Sequence, residues 1–232
     1  MSILVAAATL FEVAPMIKRR APEHSVDAVG ASGMLLKLTD VDVLVTGVGE
    51  LQCAAHVSRV LARERYDLIV QAGIAGSFSA DLPKLSVVRV ASEICADLGA
   101  EDNGGFLHIS DMGLLDPNQF PFRDGELQAP DVKIEALSTL FPARSVTVNR
   151  VLSEERSIRW VSERFDPHVV NMEGAGLFYS ALVAGVPFVS VRAISDMVGP
   201  RDRSKWDIPG AIHALDAVLE SVVVECGPQF SL

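Results

Sequence analysis

At 232 residues, with 49% hydrophobic but only 6% aromatic side chains, the chain can bury one sizeable core, built from Val, Leu, Ile and Ala rather than from rings. A net charge of −10, with no basic run longer than Lys18-Arg19-Arg20, excludes a groove for polymeric nucleic acid, which needs concentrated positive charge. The three cysteines, Cys53, Cys95 and Cys226, form neither CxxC nor Cys/His spacing, which argues against a metal site or disulfide framework and for a reducing, cytoplasmic setting.

The first element is an apolar run over residues 3–8. It lacks the basic start of a signal segment, and Glu12 follows too soon for a membrane span, so it reads as a buried strand leading into a helix through Arg19. Residues 34–38 and 41–46 are two short strands, paired as a hairpin around Thr39-Asp40. A helix is expected over 49–64, then a strand over 68–72 ending in the turn Gly73-Ile74-Ala75-Gly76-Ser77, and another strand over 86–92. Residues 97–130 hold Gly104-Gly105, Pro117, Pro121, Gly125 and Pro130 with little periodicity, the pattern of a long functional or mobile loop. Order returns with a helix at 131–140, a strand at 144–149, a helix at 153–164, a strand at 168–171, a helix at 174–184 and a strand at 187–194. A final amphipathic helix starts near Asp207, with Ile208, Ile212, Leu215, Leu219 and Val222 on one face. Strands alternating with helices predict an α/β fold, a sheet covered on both faces, with residues 1–232 as one domain.

Ligands of such folds gather beyond the carboxyl ends of strands. Four acids fall there: Glu12, Asp97, Glu173 and Asp196. A lone carboxylate is usually a solvated surface group, but Glu173 and Asp196 stand among apolar or small residues, and acids converging on one rim suit acid/base chemistry. Gly47-Val48-Gly49 and Gly73-Ile74-Ala75-Gly76 miss the phosphate-loop and dinucleotide spacings and contain no Arg or Lys, so tight turns are the simpler reading. Ser77, Ser153 and Ser195 lack a nucleophile elbow, and no histidine has an evident partner, which leaves a Ser/His/Asp triad unsupported.

Two segments carry a resemblance: Asn171-Met172-Glu173-Gly174-Ala175, and Val186 to Asp196 with its Arg192-Ala193-Ile194-Ser195-Asp196 end. They resemble the nucleoside phosphorylase/nucleosidase superfamily, near the methylthioadenosine/S-adenosylhomocysteine nucleosidases; Ala8-Thr9-Leu10-Phe11-Glu12 and Gln71 to Ser77 fall in matching order. The resemblance implies a three-layer sandwich on a mixed sheet and cleavage of a purine from ribose, with no cofactor or metal. It implies that Asp196 protonates purine N7 with Ser195 orienting it, and that Glu12 activates water. Met172, Glu173 and Arg192 would bind the ribose, and Ser77, Val151 and Leu152 would border the base or water pocket.

Hydrolysis is favoured over phosphorolysis because the loops at 9–12 and 73–77 offer an acid and no arginine, and Glu12 would repel phosphate. Asp97-Leu98-Gly99-Ala100-Glu101-Asp102 resembles the futalosine hydrolases, which implies futalosine as substrate, hypoxanthine as product and a place in menaquinone biosynthesis. Phe106, Phe120, Phe122 and the basic cluster Arg201/Arg203/Lys205 are candidates for a 5′-tail pocket, although a solvated turn before the last helix is the simpler reading of that cluster. The remaining alternatives are a methylthioadenosine/S-adenosylhomocysteine nucleosidase and a non-catalytic purine-nucleoside-binding protein. The resemblance also implies a homodimer or larger assembly, with residues 102–125 closing a neighbour's pocket.

Overall fold

A computed structural model describes residues 1–20, 25–28, 33–102 and 105–227; Gly104 of the expected loop lies outside them. The elements in chain order are β1 (Ile3–Ala7), α1 (Leu10–Arg20), β2 (Ser25–Ala28), β3 (Met34–Lys37), β4 (Asp42–Val45), α2 (Glu50–Leu61), β5 (Leu68–Ser77), β6 (Val87–Cys95), β7 (Gly99–Asp102) and β8 (Gly105–His108). They continue with β9 (Phe122–Arg123), β10 (Glu126–Gln128), β11 (Phe141–Thr147), α3 (Glu155–Phe165), β12 (Val169–Asn171), α4 (Gly174–Ala184), β13 (Phe188–Met197) and α5 (Ile208–Cys226).

The sheet is mixed: β1 pairs in parallel with β4 and β5, while β12 runs antiparallel to β5, and β13 antiparallel to β6. Its strands alternate side chains between two cores, as a period of two requires. Ile3, Val5 and Ala7 join Val13 and Met16 of α1 and Leu215 and Leu219 of α5 on one face. Leu4 and Ala6 join Val57 of α2 and Leu177 and Phe178 of α4 on the other. These two helical layers around one sheet are the expected three-layer α/β sandwich. Helix α4 crosses α2 so closely that a Cβ on Gly176 would stand 2.5 Å from the Glu50 carbonyl oxygen.

β5, β12, β11, β6 and β13 pair in a closed circuit. Each contributes one small or branched residue (Ala75, Val169, Ala143, Val88 and Ile194) to a cluster completed by Leu82. Closure anchors the C-terminal ends of β5, β12 and β13 beside one another, and that fixes the site.

Three sequence expectations need correction. The helix at 131–140 is only a 3-10 turn at Glu135–Leu137; its first amides donate to the Glu225 carboxylate of α5, and β11 already begins at Phe141. The irregular 97–130 stretch contains two hairpins, β7–β8 and β9–β10, the latter extending the sheet through β6. The glycine turn at 73–77 is instead strand: β5 continues to Ser77, paired with β13 along its length.

Candidate active site

A cavity of about 350 Å³ opens at the carboxyl ends of β1, β5, β12 and β13. Glu12, Glu173 and Asp196 all line it, with Met172, Val151, Leu152 and Ser195, so the three acids separated in sequence meet around one space.

Each acid is held by a different local device. Thr9-x-x-Glu12 has the spacing of a helix-start capping box: Glu12 Oε2 accepts from the Thr9 amide at 2.9 Å and from Thr9 Oγ1 at 2.9 Å, while Oε1 accepts from the Ile74 amide at 3.2 Å. A cap would explain Glu12 locally, but the bond to β5 turns it towards the cavity. Glu173 precedes the first turn of α4. Its Oε1 accepts from the Gly49 amide at 2.9 Å, a donor aimed by a backbone at φ 98°, where glycine is favoured. Burial raises the Glu173 pKa above the ordinary carboxylate range, against the opposing charge of Arg192.

Asp196 follows an irregularity at Ser195 in the β5–β13 register, which carries it to the cavity rim. Burial raises its pKa as well, opposed by the Ser195 hydroxyl that donates at 2.7 Å. A carboxyl that tends to keep its proton suits a general acid. A Cβ on Gly76 would crowd Val170 and Val198 at 3.2 and 3.3 Å and reach Asp196 Oδ2 at 3.4 Å, an ordinary contact.

Four expected site residues stand elsewhere. Arg192 is 1% exposed and lies behind Glu173, its Nη1 3.9 Å from Glu173 Oε2 and its Nη2 donating to Asn171 Oδ1 at 3.2 Å. It supports the carboxylate and does not line the cavity. An arginine does therefore stand beside the glycines of β5, since a Cβ on Gly73 would overlap its guanidinium, but it comes from β13 and is enclosed. Ser77 is fully buried and exchanges hydrogen bonds with Ser79, so its hydroxyl is turned away from the cavity. Phe106 packs edge-to-face on Trp160 at 4.8 Å in a second cavity of about 470 Å³, which shares Val148 and Leu152 with the first. Phe120 is 71% exposed and lines neither. Arg201, Arg203 and Lys205 are exposed, although their neighbour Trp206 reaches the cavity.

Sequence reasoning did not single out Asn171, Thr9, Ile74 or Trp206, which also line the cavity. Nor did it single out Glu93, wholly buried behind Asn171 and carrying a pKa pushed up to about 7 by burial, with Arg192 opposing. A charged residue inside the apolar strand at 87–95 was the available signal, because a buried charge requires partners.

Whole-chain comparison fits this geometry. Residues 2–223 match the phosphorylase superfamily, and the chain belongs to that superfamily. It is 34% identical over 227 residues to futalosine hydrolase from Streptomyces coelicolor, with 94% of each chain covered. It is 25% identical over 203 residues to 5′-methylthioadenosine/S-adenosylhomocysteine nucleosidase from Bacillus pumilus, covering 79% of this chain and 80% of that one. The native structure of futalosine hydrolase from Helicobacter pylori strain 26695 superimposes with a TM-score of 0.81 at 15% identity, covering 97% of this chain and 98% of that one, a likeness of fold.

Proposed function

We propose that this protein hydrolyses the N-glycosidic bond of futalosine, releasing hypoxanthine and leaving dehypoxanthine futalosine for menaquinone synthesis. The observation that carries the reading is the convergence of Glu12, Glu173 and Asp196 on one largely apolar cavity, joined to the similarity with futalosine hydrolases. Asp196 donates its proton to purine N7 as the C1′–N9 bond breaks, so the base leaves neutral. Glu12 takes a proton from the water whose oxygen bonds to C1′. Glu173 accepts from the ribose hydroxyls, and Met172 packs on the sugar. Carboxylates also stabilise the cation-like sugar between these steps.

Residues 1–232 act as one catalytic domain in the cytoplasm, consistent with free Cys53, Cys95 and Cys226. We propose a homodimer or larger assembly, with exposed apolar side chains such as Leu51 (82%) and Val183 (56%) available for burial between copies, to be checked by sedimentation.

The test offers purified protein futalosine and methylthioadenosine separately, with and without phosphate, and follows base release. Hypoxanthine from futalosine, at a rate indifferent to phosphate, is expected. Adenine release alone would identify a methylthioadenosine-type nucleosidase, a phosphate-dependent sugar-1-phosphate would identify a phosphorylase, and binding without turnover a non-catalytic receptor.

A further inference from the structure

Behind the ribose-facing wall lies a directed chain of hydrogen bonds that ends on a group with no contact with the cavity. Asn171 Oδ1 accepts from the Glu173 amide at 2.9 Å, the Gly174 amide at 2.5 Å and Arg192 Nη2 at 3.2 Å. The two backbone donors fix which way the side-chain amide faces, because a flipped amide would present N–H to N–H. Its Nδ2 therefore points inward, donating to Glu93 Oε2 at 3.0 Å and Ser145 Oγ at 2.9 Å. The other oxygen of Glu93 accepts from Thr147 Oγ1 at 3.0 Å, and Thr147 Oγ1 in turn accepts from the Ala175 amide at 2.8 Å. Both ends of the Glu93 carboxylate thus lead to the first turn of α4, one residue either side of Gly174. No side chain fits at 174, where a Cβ would overlap Glu93 itself.

We propose that Glu93 is a positioning residue for the ribose-binding carboxylate: as the carboxylate it accepts at both oxygens and sets the orientation of Asn171 and Thr147, and through them the placement of Glu173 and Arg192. The inference rests on the glycosidic-cleavage reading. The alternative is that Glu93 merely fills space in the sheet. Shape and polarity separate the two, because glutamine has the shape of glutamate but presents a donor at one end.

The substitution Glu93→Gln sets an N–H either against Asn171 Nδ2 or towards the Thr147 hydroxyl, which must then rotate to accept it and lose the acceptor for its own O–H. A buried mismatch of this kind is expected to lower kcat/KM by about tenfold or more, while an isosteric space-filler would lose little. Adding Asn171→Asp repairs the polarity: the amide at 93 donates to the new carboxylate, which still accepts from the Glu173 and Gly174 amides and from Arg192. The double variant should recover to within about threefold of wild type.

Wild-type turnover of futalosine, measured first, tests the function; the ratios among variants, read on turnover or on nucleoside affinity by calorimetry, test the role of Glu93. If Glu93→Gln is folded and as active as wild type, the proposal is wrong. If that variant does not fold, the double variant decides: folded and active supports the chain of polarity, while unfolded or folded and inactive overturns it.

Discussion

In the cavity at the strand ends, all three facing carboxylates are already held: Glu12 by Thr9 and Ile74, Glu173 by Gly49, and Asp196 by Ser195. The neighbouring cavity, across Val148 and Leu152, is different. Its ring pair Phe106–Trp160 is ordered by packing, and Asp97 accepts from the Asn149 amide at 2.6 Å and from Nδ2 at 3.1 Å, but Arg150, Arg156 and Glu101 stand exposed at its edge. Charges fixed in advance in a dry site act strongly on a transition state, whereas exposed charges are screened and reorganise. On the proposed mechanism, chemistry belongs to the first cavity and adaptable contact to the second.

The largest effect that would break this division lies at Asp196. Asp196→Asn removes the proposed proton donor and keeps the shape, and general-acid loss is worth about 10²–10⁴-fold in rate. That fall should appear in kcat, with KM changed little. Because burial raises the Asp196 pKa, the acid keeps its proton to higher pH than an ordinary aspartate. Wild-type kcat should fall on the alkaline side of that pKa, as the carboxyl loses the proton it must give, and Asp196→Asn should lack this limb. A variant with unchanged kcat would move the acid elsewhere.

A smaller effect should be visible in stability. Glu93 has a folded pKa of about 7 against an ordinary value of 4.5, so the folded state binds its proton more tightly than the unfolded state. The contribution is complete below pH 4.5 and is lost as pH rises through about 7, to a total of about 3 kcal/mol. Thermal midpoints of wild type and Glu93→Gln at pH 5 and pH 8 check this. The wild type should lose more stability over that interval than the variant does; Glu173 and Asp196, shifted in the same direction, add a loss of their own in both. Parallel curves would mean that the folded Glu93 carboxyl is not raised above its ordinary pKa.

The contrast between the cavities also shows where sequence was legible. Glu12, Glu173 and Asp196 could be read because each follows an apolar strand, and topology does the rest at strand ends. Arg192 could be assigned to the right neighbourhood but not to the right side of Glu173. It sits in β13, where residues 188–195 are all buried, so alternation carries no inside–outside information. Gly73 and Gly76 were legible as special but not as strand: their smallness makes room for Arg192 at the first and for Val170 and Val198 at the second, a packing demand that looks in sequence like a turn. The hairpin β7–β8 was hidden because four-residue strands with mixed polarity have too little period to stand out from loop.

The smallest predicted effect gives the sharpest test of the division. Arg150 and Arg156 are cationic groups beside the second cavity. If that cavity only receives part of a ligand, Arg150→Ala and Arg156→Ala should each change kcat by less than about threefold, because an exposed charge screened by water and salt moves little transition-state energy. Their effect should fall on KM, and it should weaken as salt is raised, since screening removes what remains of the attraction. Steady-state kinetics at low and high ionic strength measure both quantities. A hundredfold loss of kcat at either position would place a fixed charge of the reaction in the second cavity, and the exposed arginine would then have to close over the bound nucleoside before the bond breaks.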